Sequence, residues 1–198
     1  MAFRYPNGRR YNQSSQQGRK KENYNNRGMR FEEDINSSIN YYRETGRALI
    51  HKKPTPVQIV SVDYPKRSAA KITEAYFRQP STTDYQGIYR GMPVDFEAKE
   101  TRSHTSFPLK NLHLHQVKHL EEVKAHGGLA FLLLRFGGEQ AMYVIDAAHV
   151  IPWYYDQSER KSLTKRYVAS HSCIVPEKLQ PRYPFLDAVD ELYFTNDS

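Results

Sequence analysis

The chain has 198 residues, room for one full domain and little more. Its 29 Lys and Arg residues against 22 Asp and Glu residues give a net charge of +7, and residues 1–30 account for all of it with eight basic groups and one acid. No apolar run approaches the roughly 20 residues of a membrane-spanning helix, and the single Cys173 excludes an internal disulfide framework and a four-thiolate zinc site. The composition predicts a cytoplasmic protein that is attracted to polyanions.

Residues 1–25 are polar and basic, and they contain too few apolar side chains to offset the entropy of ordering. We interpret them as a flexible arm, attached to one domain over 26–198. The domain begins with a predicted helix, because Phe31, Ile35, Ile39 and Tyr42 recur at helical spacing before Gly46.

A second basic region follows at 47–78. It opens with a predicted strand at 49–50, continues through two X-Pro steps and an apolar stretch at 57–62, and then turns at Pro65-Lys66-Arg67. Proline is poorly suited to a central strand, so the region is predicted to be an extended excursion from the main sheet. The alternative is an irregular surface loop.

The rest of the chain predicts the order strand, strand, helix, strand, strand, with two later helices. The predicted strands are Thr82–Tyr85, Val94–Lys99, Leu129–Phe136 and Met142–Ile145, with Gln86–Pro93 as a connection, and the predicted helices are Leu109–Val123, Ala147–Tyr155 and Phe185–Phe194. This order indicates a mixed α/β domain.

Asp95, Glu97 and Lys99 alternate along the second of these strands and therefore share one face. They could form the solvated face of an edge strand. They could instead face Asp84 from the neighbouring strand, and two converging carboxylates repel unless a cation such as Mg²⁺ lies between them. The histidines His113, His115 and His119 lack partners at zinc-site spacing, so we interpret them as surface residues of the helix.

Several longer motifs carry a resemblance to a known family. They are Asn26-Arg27-Gly28-Met29, the stretch 51–60 that begins His51-Lys52-Lys53-Pro54, the stretch 64–70 that begins Tyr64-Pro65-Lys66-Arg67, Ser81-Thr82-Thr83-Asp84-Tyr85, the stretch 95–101 around Glu97-Ala98-Lys99, and Thr105-Ser106-Phe107-Pro108-Leu109. Together these resemble the RecU-type Holliday junction resolvases of Gram-positive bacteria, which use the PD-(D/E)XK nuclease core.

The resemblance implies a restriction-endonuclease-like fold, in which a mixed central sheet is flanked by helices and a stalk is inserted at about 58–79. It implies a homodimer that binds four-way DNA junctions, is linked to the RecA recombinase, and acts in the cytoplasm at the nucleoid. It also implies Mg²⁺, with Mn²⁺ as a possible substitute, held by Thr82, Asp84, Glu97 and Gln116.

Further roles follow from the same resemblance. Lys99 matches a lysine that stabilises the transition state, and Glu32 matches a helical acid with a supporting role. Asp95 shares the face of Glu97 and is a further candidate catalytic residue, either as a metal ligand or behind the ligands. The residues expected on DNA are Arg27, Lys52, Lys53, Lys66, Arg67, Lys71 and Arg78. Two other functions stay open, namely a non-catalytic junction-binding protein and a restriction-type nuclease that cuts linear duplex.

Overall fold

The computed structural model describes residues 25–66, 69–78, 81–158 and 160–195. The helices are α1 (Asn25–Glu44), α2 (Leu114–Ala125), α3 (Ile151–Tyr155), α4 (Lys165–Ser170) and α5 (Phe185–Tyr193). The strands are β1 (Leu49–Lys52), β2 (Val57–Asp63), β3 (Lys71–Phe77), β4 (Tyr85–Tyr89), β5 (Met92–Glu100), β6 (Ser106–Pro108), β7 (Leu129–Arg135), β8 (Met142–Asp146), β9 (Ser162–Thr164) and β10 (Ser172–Val175). Within these ranges no helix has the length and apolar character that crossing a membrane requires.

A six-stranded sheet in the order β1-β4-β5-β7-β8-β10 forms the centre of the fold. Strands β5 and β7 run parallel, with α2 in the connection between them, and the other four neighbouring pairs run antiparallel. On one face, buried side chains of α1 and α5 pack against the sheet, and on the other face a second apolar cluster joins the sheet to α2 and α4. The predicted mixed α/β fold, with a mixed central sheet flanked by helices, is confirmed.

Strand β5 lies inside this sheet, between β4 and β7. The ring of Phe96 is fully buried and stacks between Tyr85 and Phe131, with ring centroids 4.7 and 4.9 Å away. Glu97, on the opposite face, has no exposed surface. The alternative in which β5 is a solvated edge strand is therefore wrong.

The basic excursion forms a separate antiparallel hairpin of β2 and β3, inserted between β1 and β4. Along the two strands every side chain is exposed except that of Val62, which is partly buried, so the described strands form no core of their own. Phe77, at the end of β3, is 84% exposed. The predicted excursion from the main sheet is confirmed, and it is a β-ladder with irregular register around Ser61 in place of the alternative irregular loop.

The strand predicted at Thr82–Tyr85 begins only at Tyr85, and most of the predicted connection Gln86–Pro93 is strand. The reversal needs just Arg90 and Gly91, whose φ angles of 49° and 77° are those of a two-residue hairpin turn. The error came from Gly87, which reads as a loop residue. It lies in β4 because β1 passes too close to leave room for a side chain.

Replacing Gly87 with alanine is expected to destabilise the fold by about 3 kcal/mol, at the upper end of overpacking costs. The added Cβ would collide with the carbonyl oxygen of Leu49 and lie 2.6 Å from the Cα of Ile50, so β1 would have to move. Chemical denaturation measures the loss. Gly91→Asn is the control, because a side chain there meets nothing within 4 Å and asparagine tolerates positive φ. Equal stability of the two variants would contradict the prediction.

Two predicted helices are shorter than expected. A 3₁₀ turn forms at Leu109–Asn111, the backbone extends at Leu112, and α2 starts at Leu114. The predicted helix at Ala147–Tyr155 divides in the same way into a 3₁₀ turn, Ala147–His149, and α3. Apolar spacing continued across both interruptions, so periodicity alone did not reveal them.

Candidate active site

The β4–β5 hairpin brings Asp84 and Glu97 together. Its register pairs Tyr85 with Phe96, so the preceding Asp84 comes opposite the following Glu97. The backbone N–H of Asp84 donates a hydrogen bond of 3.0 Å to Oε2 of Glu97. The twelve residues between the two acids are therefore the length of one tight hairpin.

The Glu97 carboxylate is held in an unfavourable setting. Its buried Oε1 accepts no hydrogen bond, although Nζ of Lys99 lies 2.5 Å away outside hydrogen-bonding geometry. Burial raises the pKa of Glu97 to about 7, Lys99 opposes this rise, and Asp84 adds to it. A buried carboxylate is unfavourable unless cations lie next to it, and Lys99 is one such cation.

Thr82 and Gln116 are the other two residues predicted to bind the metal. Thr82 and Asp84 both precede β4, so the predicted alternation of the two on one strand is wrong, although both line the same cleft. The Thr82 hydroxyl donates to the Thr83 carbonyl. Gln116 is buried in the first turn of α2, where its side-chain oxygen accepts the N–H of His113. That bond occupies one of the two lone pairs of the amide oxygen and leaves the other available.

The first turn of α2 lies beside the carboxylates. Burial lowers the pKa of His115, electrostatic interactions with His113 and Lys99 lower it further, and Asp84 raises it. His115 is thus within electrostatic reach of two predicted catalytic residues. Across the described ranges, no three His, Cys, Asp or Glu side chains converge on one point. The acidic ligands available here are therefore the pair Asp84 and Glu97.

A cleft of about 570 Å³ opens at the base of the β2–β3 hairpin, and Asp84 and Thr82 line it. Glu32 and Lys52 also line it, and Nζ of Lys52 lies 2.6 Å from Oε2 of Glu32. Arg78, which follows β3 of the β2–β3 hairpin, also lines the cleft. A larger depression of about 730 Å³ lies where α1 ends, and it includes none of the predicted site residues.

The residues predicted to bind DNA separate into two groups. Lys52, Lys66, Lys71 and Arg78 have exposed side chains around the cleft and along the hairpin. Lys53 also lines the cleft, but its side chain is mostly buried and contacts Asp95. The arm at 1–24, the side chain of Arg27 and all of Arg67 lie outside the described residues.

Sequence reasoning missed two residues next to the site. His119, predicted to be a surface histidine, places Nε2 2.9 Å from Oδ1 of Asp95, and the buried Thr83 donates to the same oxygen. The interpretation of His119 as a surface residue is wrong. A signal existed, because His119 lies three residues after Gln116 and thus on the same face of α2.

Comparisons with known proteins find relatives over nearly the whole chain. The family model "RecU: Recombination protein U" matches residues 26–191. The protein named "Holliday junction resolvase RecU" of Geobacillus kaustophilus is 54% identical over 199 residues, covering 98% of this chain and 100% of that one. Its namesake from Bacillus thuringiensis is 49% identical over 200 residues, with the same coverage.

Among solved structures, a Holliday junction resolvase of Archaeoglobus fulgidus, Hjc, matches with a TM-score of 0.41 and 13% identity, covering 72% of this chain and 93% of that one. The family model spans both acids, Lys99 and α2, as well as the hairpin and α5 up to residue 191. The relatives match over nearly the whole chain. The chain belongs to the RecU family.

Proposed function

We propose that the protein is a structure-selective endonuclease that resolves Holliday junctions in recombination and DNA repair by paired, symmetric, Mg²⁺-dependent cleavage of phosphodiesters. The observation that supports it most is the pairing of Asp84 with Glu97 across the β4–β5 hairpin, with Lys99 next to them. Its relatives are named for the same activity.

The donor set fits a hard divalent ion. Mg²⁺ prefers oxygen ligands, takes one or two carboxylates, and keeps several waters. Asp84 and Glu97 supply two carboxylates, and Thr82 and Gln116 a hydroxyl and an amide oxygen. The buried Oε1 of Glu97 makes no well-formed hydrogen bond and is balanced by the ammonium group of Lys99. These four residues would hold the ion, with Mn²⁺ as a substitute. When bound, it supplies Lewis acidity at the scissile phosphate.

The remaining chemistry belongs to the protein. Lys99 carries a positive charge next to Glu97 in a largely buried site, where it stabilises negative charge that develops on the phosphate. Asp95 and Glu32 support the site through their contacts with Lys53 and Lys52. Lys52 and Arg78 line the cleft and attract the DNA backbone towards Asp84.

The hairpin and the arm suit a branched substrate. Lys66, Lys71 and Arg78 are exposed on an element that lacks a core, and we propose that this stalk enters the open centre of the junction, with Arg27 and Arg67 assisting. Two matched cuts on opposite strands require two sites related by a twofold axis, so we propose a homodimer. We also propose RecA as a partner and a cytoplasmic, nucleoid-associated location.

Cleavage of synthetic four-way junctions tests the function. With Mg²⁺, the wild type is expected to make two symmetric nicks in the junction and to leave a linear duplex of the same sequence intact. Asp84→Asn is expected to bind the junction with wild-type affinity and not to cut it, since phosphate contacts elsewhere position the DNA. The measurement is strand-specific gel analysis of end-labelled junctions.

Each alternative function has its own outcome. Cutting of linear duplex at a defined sequence would indicate a restriction-type nuclease. Tight binding of the junction by the wild type without cleavage, in Mg²⁺ and in Mn²⁺, would indicate a non-catalytic junction-binding protein. Equal cleavage by wild type and Asp84→Asn would remove the proposed site.

A further inference from the structure

Asp95 is the acceptor at the centre of a polar cluster behind the two proposed metal-binding carboxylates. It lies two residues before Glu97 on β5, and its Oδ1 accepts hydrogen bonds from Nζ of Lys53 at 2.7 Å and from the Thr83 hydroxyl at 2.9 Å. Nε2 of His119 lies 2.9 Å from the same oxygen. Since a carboxylate only accepts, that imidazole nitrogen carries its hydrogen.

The same cluster holds the backbone around Asp84 on both sides. The N–H of Lys53 donates a 2.7 Å hydrogen bond to the carbonyl of Asp84, which continues the β1–β4 ladder by one residue. The neighbouring Thr83 is tied through its side chain to Asp95, and the N–H of Asp84 is held by Glu97. Every polar backbone group of Asp84 therefore has a fixed partner, although the residue precedes the regular strand.

We infer that Lys53, Asp95 and His119 are positioning residues that fix the Asp84 carboxylate for metal binding, and that Lys53 does not contact DNA. The inference rests on the proposed function. It assigns Asp95 a role through Thr83 and Lys53 rather than as a ligand.

Burial separates Lys53 from the lysines that can reach a phosphate. Its side chain is 15% exposed, against 38% for the neighbouring Lys52, and its Nζ already has two oxygen partners, Asp95 and Thr83. Turning outward to DNA would leave the mostly buried Asp95 without its cation. That exchange is unfavourable, because an unpaired charge in such a setting loses both solvent and partner.

Loss of the Lys53 side chain has two opposite expected effects on the affinity for Mg²⁺, one from its charge and one from its positioning contacts. Removing a positive charge near Asp84, Glu97 and Asp95 makes the site more negative, which by itself would strengthen cation binding. Loss of the Lys53 side chain keeps the backbone hydrogen bond to Asp84 but removes the contacts with Asp95 and Thr83. Loosening Asp84 through Thr83 would weaken Mg²⁺ binding, and groups that orient metal ligands are typically worth about 10–100-fold in metal affinity. A weaker affinity for Mg²⁺ would therefore come from the loss of positioning contacts, because the loss of the positive charge acts in the opposite direction.

The experiment compares Lys53→Met with Lys66→Met, an exposed lysine next to the tip of the hairpin. The midpoint of Mg²⁺-induced thermal stabilisation is measured without DNA, and junction affinity is measured in EDTA over a range of salt concentrations. Lys53→Met is expected to raise the Mg²⁺ midpoint about 10–100-fold and to leave the salt slope unchanged. Lys66→Met is expected to leave the midpoint unchanged and to reduce the slope by about 0.9, the value for one phosphate contact.

A second pair of variants keeps the inference testable if Lys53→Met folds poorly. His119→Gln retains a side-chain N–H donor near Asp95 and is expected to keep the wild-type midpoint, whereas His119→Leu is expected to raise it. A flattened salt slope with an unchanged midpoint in Lys53→Met, or a lower midpoint, would overturn the inference. If the wild type itself shows neither Mg²⁺ stabilisation nor cleavage, the proposed function has failed instead.

Discussion

Replacing Lys99 with alanine is expected to slow single-turnover cleavage of a four-way junction roughly 10²–10³-fold, with junction affinity unchanged. The size follows from the loss of one preorganised charge that acts on the transition state in a partly dehydrated site. Lys99 is two residues from Glu97 on an inner strand, and its ammonium group lies next to the carboxylate that we propose binds the metal. Rapid-quench kinetics at saturating protein separates this step from binding.

Lys124→Ala is the matched control for Lys99. Nζ of Lys124 also pairs with a carboxylate, Asp146 at 2.8 Å, and its side chain is 29% exposed against 21% for Lys99. It lies on the last turn of α2, whereas the site adjoins the first turn. A rate for Lys99→Ala within tenfold of that of Lys124→Ala would contradict the assigned role.

Replacing Glu97 with glutamine is expected to stabilise the metal-free protein above neutral pH and to abolish stabilisation by Mg²⁺. The pKa of Glu97 is raised from 4.5 to about 7, so the folded state binds the proton more tightly than the unfolded state. Its contribution to stability is therefore complete below about pH 4.5 and falls as the pH rises to about 7. The loss amounts to roughly 3 kcal/mol for a shift of this size.

Glutamine has no proton to lose, so the free energy of unfolding of Glu97→Gln in EDTA is expected to vary less between pH 5 and pH 8 than that of the wild type. Because the eight histidines are common to both proteins, the difference between the two curves isolates Glu97. Urea denaturation at each pH gives these curves. The exposed Glu121→Gln is expected to follow the wild-type curve.

Mg²⁺ completes the test of Glu97. At pH 8 and 100 times its dissociation constant, the ion is expected to stabilise the wild type by about 2.7 kcal/mol and the Glu97→Gln variant negligibly. This result would show that the carboxylate of Glu97 both destabilises the metal-free protein and accounts for the stabilisation by Mg²⁺. A metal-induced gain of equal size in both proteins would show that the ion binds elsewhere.

The elements that sequence predicted well are those whose side chains face one continuous core. Helix α1 buries Phe31, Ile35, Ile39 and Tyr42 at helical spacing, and β7 is buried over nearly its whole length. Strand β4 was not predicted correctly, because a glycine such as Gly87 is typical of a loop. Glycine is needed there by the close approach of β1, whose Ile50 pairs with Gly87 from 37 residues earlier in the chain. Local propensity carries no record of such an approach.

In the candidate site too, residues that are close in sequence were predicted and residues that are distant in sequence were not. Asp84, Glu97 and Lys99 were predictable because alternation along β5 and one short hairpin bring them together. The cluster around Asp95 was not, because Lys53 lies 42 residues away in sequence and His119 lies 24 away. A basic residue in a basic region is read as a DNA contact until a structure shows its partner. The arm, Arg67 and the side chain of Arg27 stay predictions.

The solvent-exposed hairpin has a consequence for how the chain folds. β1 must pair with β4 across more than 30 intervening residues, and closing so long a loop has an entropic cost. The ladder of β2 and β3 forms from local contacts, and it runs down to Val57 opposite Phe77, after which the N–H of Arg78 bonds to the carbonyl of Pro56. Once zipped, it holds the ends of the insertion together, so the remaining closure between β1 and β4 spans only a few residues on each side. The hairpin, whose described strands lie outside the core, thereby lowers the effective contact order of the sheet next to the proposed metal-binding carboxylates.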